Sequence, residues 1–329
     1  MGICSFIVLV AFFVISNLEQ CSGAHLFQHR KLAALVTEPP LILSYHNGPL
    51  LAGSGALTVH LLWYGSFNSA QKNTVTDFFR SFVPDNDKQG LSSSVSSWWK
   101  TTASYKDAFG VSILSSVELG AQTSDAAYSI GKNLKRSDLE ILVVKIAQNS
   151  KLLEDSKSLY LVLTSEDVYV DGFCTDACAS HSKTSASTAE GDHKVVYVWV
   201  GNSASTCPGK CAWPFANPKS FGGPDTPALI APNGDVGVDG MIINIATVLA
   251  GAATNPFGSG YFQGDVNAPL EAATACAGIF GEGAFPGFAG KLLVDSSTKA
   301  SFNVRGINGR TFLLPALWNP STLSCSSPS

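Results

Sequence analysis

Apolar residues in the C-terminal half of the chain recur at helical spacing. Four of them share one face of a predicted helix: Ile242, Ile245, Leu249 and Ala252. Small or polar residues occupy the opposite face: Asn244, Thr247, Gly251 and Thr254. The spacing predicts a helix that buries its apolar face, begins near Asp239 as the N-cap residue and ends before Pro256.

Other apolar patterns predict strands that alternate with helices. Strands are predicted at residues 57–64, 113–119, 159–164, 195–200 and 311–317. Helices are predicted at residues 69–82, 92–102 and 126–135. A Ser/Thr-rich surface loop is predicted at residues 180–192 and an ordered Gly/Pro-rich loop at 257–290. We therefore expect an α/β (mixed α+β) fold in one domain, residues 25–329, with a central mixed sheet flanked by helices.

The N-terminal residues have the pattern of a secretory signal peptide. Residues 3–15 are apolar and uncharged apart from Ser5, and they lead to the small-residue site Ser22-Gly23-Ala24. The apolar run is shorter than the roughly 20 residues that span a bilayer, so a membrane anchor is the less favoured interpretation. Residues 1–24 are predicted to be removed, leaving an extracellular protein without a membrane segment.

Cysteine usage agrees with export. Two of the eight cysteines, Cys4 and Cys21, lie in the signal, and six remain: Cys174, Cys178, Cys207, Cys211, Cys276 and Cys325. An even set in an oxidising compartment indicates disulfides, although spacing leaves many connectivities open. The favoured arrangement links the 174/178 region to the 207/211 region and joins 276 to 325. Zinc held by the two Cys-x3-Cys pairs is the alternative.

Charge is low and evenly spread. The net charge is -4, and charged residues make up only 14% of the chain. The sequence has no basic block and no interleaving of basic with aromatic residues, which argues against a nucleic-acid partner. Trp98 and Trp99 are predicted to pack inward, with sugar stacking as the alternative.

The predicted helix has the frame of a metallohydrolase helix without its chemistry. Such a helix needs His at Thr247, Glu at Val248 and a second ligand at Gly251. Thr is a poor zinc ligand, while Val and Gly offer no donor. The chain also lacks a Gly-x-Ser-x-Gly elbow and a Walker A loop. Paired carboxylates for glycoside hydrolysis stay open, because sequence does not give the distance between two acidic side chains.

Other polar residues join Thr247 as candidates for a pocket: His46, His181, Asp239 and Glu271. Buried, hydrogen-bonded structural roles are favoured for the two histidines over roles as ligand or base. Glu271 is favoured as a solvated charge or backbone acceptor over a metal ligand. The sequence thus assigns no catalytic, cofactor-binding or metal residue, and zinc is only the less favoured cofactor.

Long strings of residues carry a resemblance to a known family: Ser44-Tyr45-His46-Asn47-Gly48-Pro49-Leu50, Leu62-Trp63-Tyr64-Gly65, Trp199-Val200-Gly201-Asn202, Cys207-Pro208-Gly209-Lys210-Cys211-Ala212-Trp213-Pro214-Phe215 and Ala253-Thr254-Asn255-Pro256-Phe257. The chain resembles the plant phosphate-induced/EXORDIUM-like family over nearly all of its mature length. This resemblance implies a secreted, apoplastic or cell-wall-associated protein linked to cell expansion, with no established enzymatic activity. Some members read His-Glu-Leu-Ala-Glu at residues 247–251, which implies a zincin-like fold whose active-site helix is degenerate here.

Two functions follow from these expectations. The first is a non-catalytic extracellular protein that regulates growth by binding a wall polysaccharide, a peptide or a surface receptor. The second is a metal-dependent or carboxylate-based extracellular hydrolase. The absence of metal-binding and base residues at positions 247, 248 and 251 of the predicted helix favours the first function over the second.

Overall fold

Helices and short strands alternate along the chain in the computed structural model, which describes residues 40–83, 93–149, 157–185, 194–217 and 227–328. Within these ranges the helices are α1 Ser69–Arg80, α2 Val95–Ala103, α3 Arg136–Asn149, α4 Pro208–Cys211 and α5 Val236–Thr254. Leu41–Ser329 form one compact unit. The predicted signal peptide lies outside the described residues.

The strands, in chain order, are β1 Ser44–Tyr45, β2 Ala56–Tyr64, β3 Ser116–Asp125, β4 Asn133–Leu134, β5 Ser158–Thr164, β6 Tyr169–Val170, β7 Ala179–Lys183, β8 Val196–Gly201, β9 Tyr261–Phe262, β10 Leu293–Val294, β11 Ser301–Phe302, β12 Val304–Arg305, β13 Thr311–Phe312, β14 Leu317–Asn319 and β15 Ser324–Ser326. Five of them form the central sheet, in the order β3-β2-β5-β8-β7. The first four are parallel, and β7 pairs antiparallel with β8 at one edge. The predicted mixed α/β architecture with a central mixed sheet is confirmed.

The sheet is covered on both faces. Alternate residues of β2, such as Val59 and Trp63, pack with α1, α2 and α5. The intervening residues, such as Leu62 and Tyr64, pack with α3. This two-sided burial explains why β5 and β8 are continuous apolar runs.

Helix α5 is the buried centre of the fold. It begins at Val236, after the N-cap Asp235, whose side chain accepts a hydrogen bond from the Val238 backbone N–H. The prediction of Asp239 as N-cap is therefore wrong, because a second aspartate stands one turn earlier. Half of the predicted polar face is also buried, since Gly251 and Thr254 are buried while Asn244 and Thr247 are partly exposed. Its length and hydropathy would suit a membrane span, but 83% of that window is buried inside the protein.

Three disulfides tie the loops to this core. Cys174 bonds to Cys207 and Cys178 to Cys211, and both bridges close 33-residue separations. The third bridge, between Cys276 and Cys325, fastens the C-terminal strand. The regional pairing expected from the sequence is confirmed, and these six sulfurs are not available as zinc thiolates.

Some local predictions were wrong. The helix expected at 126–135 is instead a pair of turns, with a positive φ at Tyr128 and Gly131, followed by the short strand β4, and α3 begins only at Arg136. The loop expected at 180–192 begins as strand β7, while residues 186–193 lie outside the described ranges. Trp98 and Trp99 are 4% and 1% exposed, so the structure supports core packing over sugar stacking.

Candidate functional site

Polar side chains from three separate segments meet beside the C-terminal half of α5. His181 comes from β7, Asn255 follows the last turn of α5, and Glu271 comes from the loop that follows. The His181 Nε2 atom lies 2.9 Å from both carboxylate oxygens of Glu271. Asn255 Nδ2 donates to Oε1 of the same carboxylate at 2.7 Å. We call His181, Asn255 and Glu271 the His–Glu cluster.

Gly251 makes room for this cluster. A Cβ atom at position 251 would lie 2.6 Å from Glu271 Oε2 and 3.3 Å from two atoms of the His181 ring. The glycine sits in an ordinary helical turn, so the close approach of these side chains, not a special backbone conformation, requires it. The space that a side chain at position 251 would occupy is filled by the His–Glu cluster.

Backbone contacts fix the other members of the cluster. Asn255 caps α5 through its backbone N–H, which donates to the Gly251 carbonyl at 2.7 Å. Its Oδ1 accepts the Gly260 N–H at 2.7 Å. The Glu271 backbone N–H donates to Thr274 Oγ1 at 2.7 Å. Asn255 and Glu271 are therefore each held in place by contacts of their own backbone.

The cluster is shielded from water. The side chains of His181 and Glu271 are 14% and 8% exposed. With a proton on Nε2, the imidazole donates to the carboxylate. The other ring nitrogen, Nδ1, is buried and has no hydrogen-bond partner within the described part of the chain. The arrangement orients a histidine–carboxylate pair but leaves one ring nitrogen unsatisfied, which is costly in a buried site.

The neighbouring helix positions add no catalytic group. Thr247 donates its hydroxyl to the Ile243 carbonyl at 2.9 Å, which is an internal helix contact. Val248 is 7% exposed and belongs to the hydrophobic core. Neither residue supplies an activated nucleophile or a strong metal ligand.

The donor set does not fit zinc. His181 and Glu271 provide two ligand side chains, whereas catalytic zinc sites use three protein ligands and structural sites four. Among the described residues, the one group of three candidate ligands within 4.8 Å of each other consists of Cys174, Cys207 and Cys211. These cysteines are in disulfides.

His46 is linked to the His–Glu cluster through Gly260. Its backbone N–H donates to the Gly260 carbonyl at 2.9 Å, and Gly260 is the residue that Asn255 holds. The His46 ring stacks on Phe262, with centroids 3.8 Å apart. This histidine contacts the loop next to the His–Glu cluster, but its side chain is exposed, so the burial expected from the sequence is wrong.

Asp239 lies at the opposite end of α5, about 18 Å from Gly251 along the helix axis. Its carboxylate accepts hydrogen bonds from the backbone N–H and the Nδ2 of Asn233, at 2.9 and 2.6 Å. Arg310 donates to Asn233 Oδ1 and to Asp77. Burial raises the pKa of Asp239 to about 7, despite the hydrogen bonds from Asn233 that favour the charged form. This network joins α5 to α1 and the C-terminal segment.

An apolar cleft of about 280 Å³ lies away from the His–Glu cluster. Its walls are mainly aromatic and aliphatic side chains, among them Trp213, Pro214, Leu229, Phe288, Leu292 and Val294. Phe288 and Val294 are 38% and 56% exposed. The cleft offers a surface for an apolar or aromatic group, and sequence analysis missed it because its walls come from separate loops.

Comparisons with known proteins give the family. A family profile described as "Phosphate-induced protein 1 conserved region" matches residues 43–328. Protein PHOSPHATE-INDUCED 1 of Nicotiana tabacum is 46% identical over 325 residues, which cover 98% of each chain. The chain belongs to the phosphate-induced protein 1 family.

Proteins of Arabidopsis thaliana resemble this family member over almost as much of its length. Protein EXORDIUM-like 2 is 48% identical over 299 residues, covering 90% of this chain and 92% of the relative. Protein EXORDIUM is 46% identical over 303 residues, covering 91% and 93%. No solved structure matches the chain.

Within this phosphate-induced protein 1 family member, two of the predicted pocket residues meet directly. His181 and Glu271 form the centre of the His–Glu cluster, and Thr247 lies one turn before Gly251. His46 contacts the supporting loop, while Asp239 belongs to a separate network. Asn255 was missed, although an Asn-Pro pair at a predicted helix end is a signal for a polar cap.

Proposed function

We propose that the protein is secreted to the apoplast or cell wall and regulates cell expansion and growth by non-catalytic binding. Its partner is a wall polysaccharide, a peptide or a surface receptor. The relatives named PHOSPHATE-INDUCED 1 and EXORDIUM support a role in plant growth. The protein acts in this proposal without a cofactor and without nucleic acid.

Export is supported by two independent features. The apolar residues 3–15 and the small residues that follow have the pattern of a signal peptide. The three disulfides are of a kind that persists in oxidising compartments and is rare in the cytosol. The mature chain would therefore work outside the cell.

One observation carries the non-catalytic part of the proposal. Residues 247, 248 and 251 are Thr, Val and Gly, and the His–Glu cluster occupies the space beside position 251. Activation of water by a metal needs ligands that hold the metal, and these three positions supply no strong ligand. A zincin-like fold with a degenerate active-site helix stays part of the proposal and rests on the resemblance of residues 247–251 to that helix.

The His181–Glu271 contact favours one alternative, a carboxylate-based hydrolase. A shielded histidine–carboxylate pair can position a general base, and its free Nδ1 atom is consistent with that role. The alternative requires access of substrate to a ring that is largely buried. It predicts that Glu271→Gln abolishes a measurable turnover while the protein stays folded.

Secretion and growth are tested together in plant cells. The full chain and a chain without residues 2–24 are expressed with the same C-terminal tag, and the tag is quantified in apoplastic fluid. We expect the full chain alone to reach the apoplast and to increase tissue elongation. Equal elongation from the chain retained inside the cell would contradict an extracellular role.

Binding is tested with the purified secreted protein. It is applied to an array of wall polysaccharides and cross-linked to proteins of the apoplastic fluid. Saturable binding to one class of partner supports the proposal. Absence of saturable binding to either class, in protein whose disulfides and fold are intact, would count against it.

A further inference from the structure

Strand β7 is an edge of the central sheet, and none of the described strands pairs with its outer side. Its ladder to β8 is bracketed by hydrogen bonds from the Gly201 N–H to the Cys178 carbonyl and from the Thr184 N–H to the Val195 carbonyl. In antiparallel pairing, hydrogen-bonded and non-hydrogen-bonded residues alternate. Ser180 and Ser182 therefore form the hydrogen-bonded pairs with β8, and the alternate residues of β7 direct their backbone N–H and C=O groups away from β8.

The outward residues are Ala179, His181 and Lys183. In the described part of the chain, no residue on the outer side of β7 forms a hydrogen bond with their backbone N–H or C=O groups. Such groups repeat every two residues, about 7 Å apart along a strand. This spacing of alternating donors and acceptors matches the backbone of another extended polypeptide.

The strand is held rigidly from both ends and both faces. The Cys178–Cys211 disulfide fixes its start, and the Lys183 ammonium donates to the Phe257 carbonyl at 3.0 Å near its end. Arg136 donates to Ser180 Oγ at 2.8 Å on one face. The His–Glu cluster holds His181 on the other face. An edge fixed in this way loses little conformational entropy when a peptide pairs with it.

The usual devices that protect an edge strand are weak on β7. Its pairing with β8 is regular, and it contains no proline. Its one charged side chain, Lys183, is tied to Phe257. The opposite edge differs, because the register of β3 with β2 shifts between Val59 and Leu61. Such an irregularity disfavours pairing with a further strand, so β7 is the edge suited to a partner.

We propose that β7 captures an extended polypeptide segment of a partner protein, which adds to the central sheet as a further strand beside β7. This inference rests on the proposed binding function and names the class of partner. A polysaccharide suits this edge less well, because β7 carries no Trp, Tyr or Phe on which a sugar ring could stack. Main-chain pairing supplies the affinity, and side chains next to the His–Glu cluster supply the selectivity.

The first test uses a displayed library of random linear peptides, selected on the full-length secreted protein. The variant Ala179→Pro removes one outward N–H and leaves the hydrogen-bonded pairs with β8 in place. The matched control, Ala179→Ser, keeps that N–H. We expect Ala179→Pro to weaken binding of the selected peptides at least about tenfold and Ala179→Ser to leave it within about twofold. Equal affinity for both variants, or no enriched peptide, would overturn the proposal.

A second measurement does not depend on the folding of a variant. Each residue of the tightest peptide is N-methylated in turn, and its affinity for the wild-type protein is measured. Strand addition predicts losses of about tenfold at every second residue and small effects between them. Losses without this two-residue period would overturn strand addition.

The proposed function is tested separately in the same preparation. Wild-type protein that promotes elongation and binds a wall component, yet binds no extended peptide, leaves the proposed function intact and overturns the role of β7. A second copy of the chain could occupy the edge of β7 instead of a partner protein, and light scattering tests this by measuring the oligomeric state. A dimer that Ala179→Pro dissociates would overturn the proposal in favour of self-association through this edge.

Discussion

Replacement of Gly251 by alanine tests the packing of the His–Glu cluster. The added Cβ atom would lie 2.6 Å from Glu271 Oε2, whereas ordinary contacts begin near 3.4 Å. The carboxylate must therefore retreat, and its contacts at 2.9 Å with His181 and 2.7 Å with Asn255 then lengthen. We expect the variant to be less stable than the wild type.

The size of the effect follows from two opposing contributions. Loss of one buried hydrogen bond to a charged group costs about 1.5–3 kcal/mol. Alanine in place of glycine in a helix contributes up to about 1 kcal/mol of stability. The free energy of unfolding should therefore fall by about 0.5–2 kcal/mol in Gly251→Ala. In a Glu271→Ala background the carboxylate is gone, so the same change should raise stability by up to about 1 kcal/mol.

Urea unfolding followed by tryptophan fluorescence measures both differences, since Trp63, Trp99 and Trp199 are buried. The disulfides stay oxidised throughout, and the denaturant dependence is compared among the four proteins to establish that a common two-state treatment applies. A stabilising effect of Gly251→Ala in the wild type would refute the argument. The same effect in both backgrounds would do so as well.

Three further predictions concern other parts of the fold. Burial raises the pKa of Asp239 to about 7 from an ordinary value of 3.8, so between these pH values the folded state holds a proton that the unfolded state releases. The free energy of unfolding should therefore fall as pH rises from about 4 through 7, by up to about 4 kcal/mol. Asp239→Asn should flatten this dependence in unfolding curves recorded across that range, and an unchanged slope would contradict the prediction. Replacing both Cys276 and Cys325 by serine should cost about 2–4 kcal/mol, because the bridge closes a separation of 49 residues, and a calorimetric Tm equal to the wild type would argue against it. Arg310→Leu should cost about 2–3 kcal/mol, because the mostly buried Asp77 loses its ion-pair partner and retains the weaker hydrogen bond from Asn308. Asp77→Asn in addition should recover part of that loss in the same assay.

The central elements could be predicted because their patterns have direct physical causes. Strands β2, β5 and β8 are apolar runs that the sheet buries on both faces. Helix α5 shows the helical spacing of a core element, although its start was placed at Asp239 instead of after Asp235. The two aspartates compete as N-caps, and only the fold shows that Asp239 turns inward to Asn233.

Strand β7 could not be recognised from its polar sequence. Ser180 and Ser182 have low strand propensity, and the segment is extended because it pairs with β8. The same limit applies to the His–Glu cluster, whose His181 and Glu271 are 90 residues apart. Both residues were candidates from the sequence, but their contact depends on β7 and on the room left by Gly251.

The most direct test of the account distinguishes binding from turnover. A small molar fraction of the secreted protein is incubated with apoplastic fluid and solubilised wall polymers, and peptides and glycans are followed by mass spectrometry over time. The account predicts depletion of a bound component in fixed proportion to the protein, with no new fragments. Fragments that accumulate with time at a catalytic amount of protein, and that disappear with Glu271→Gln, would contradict it.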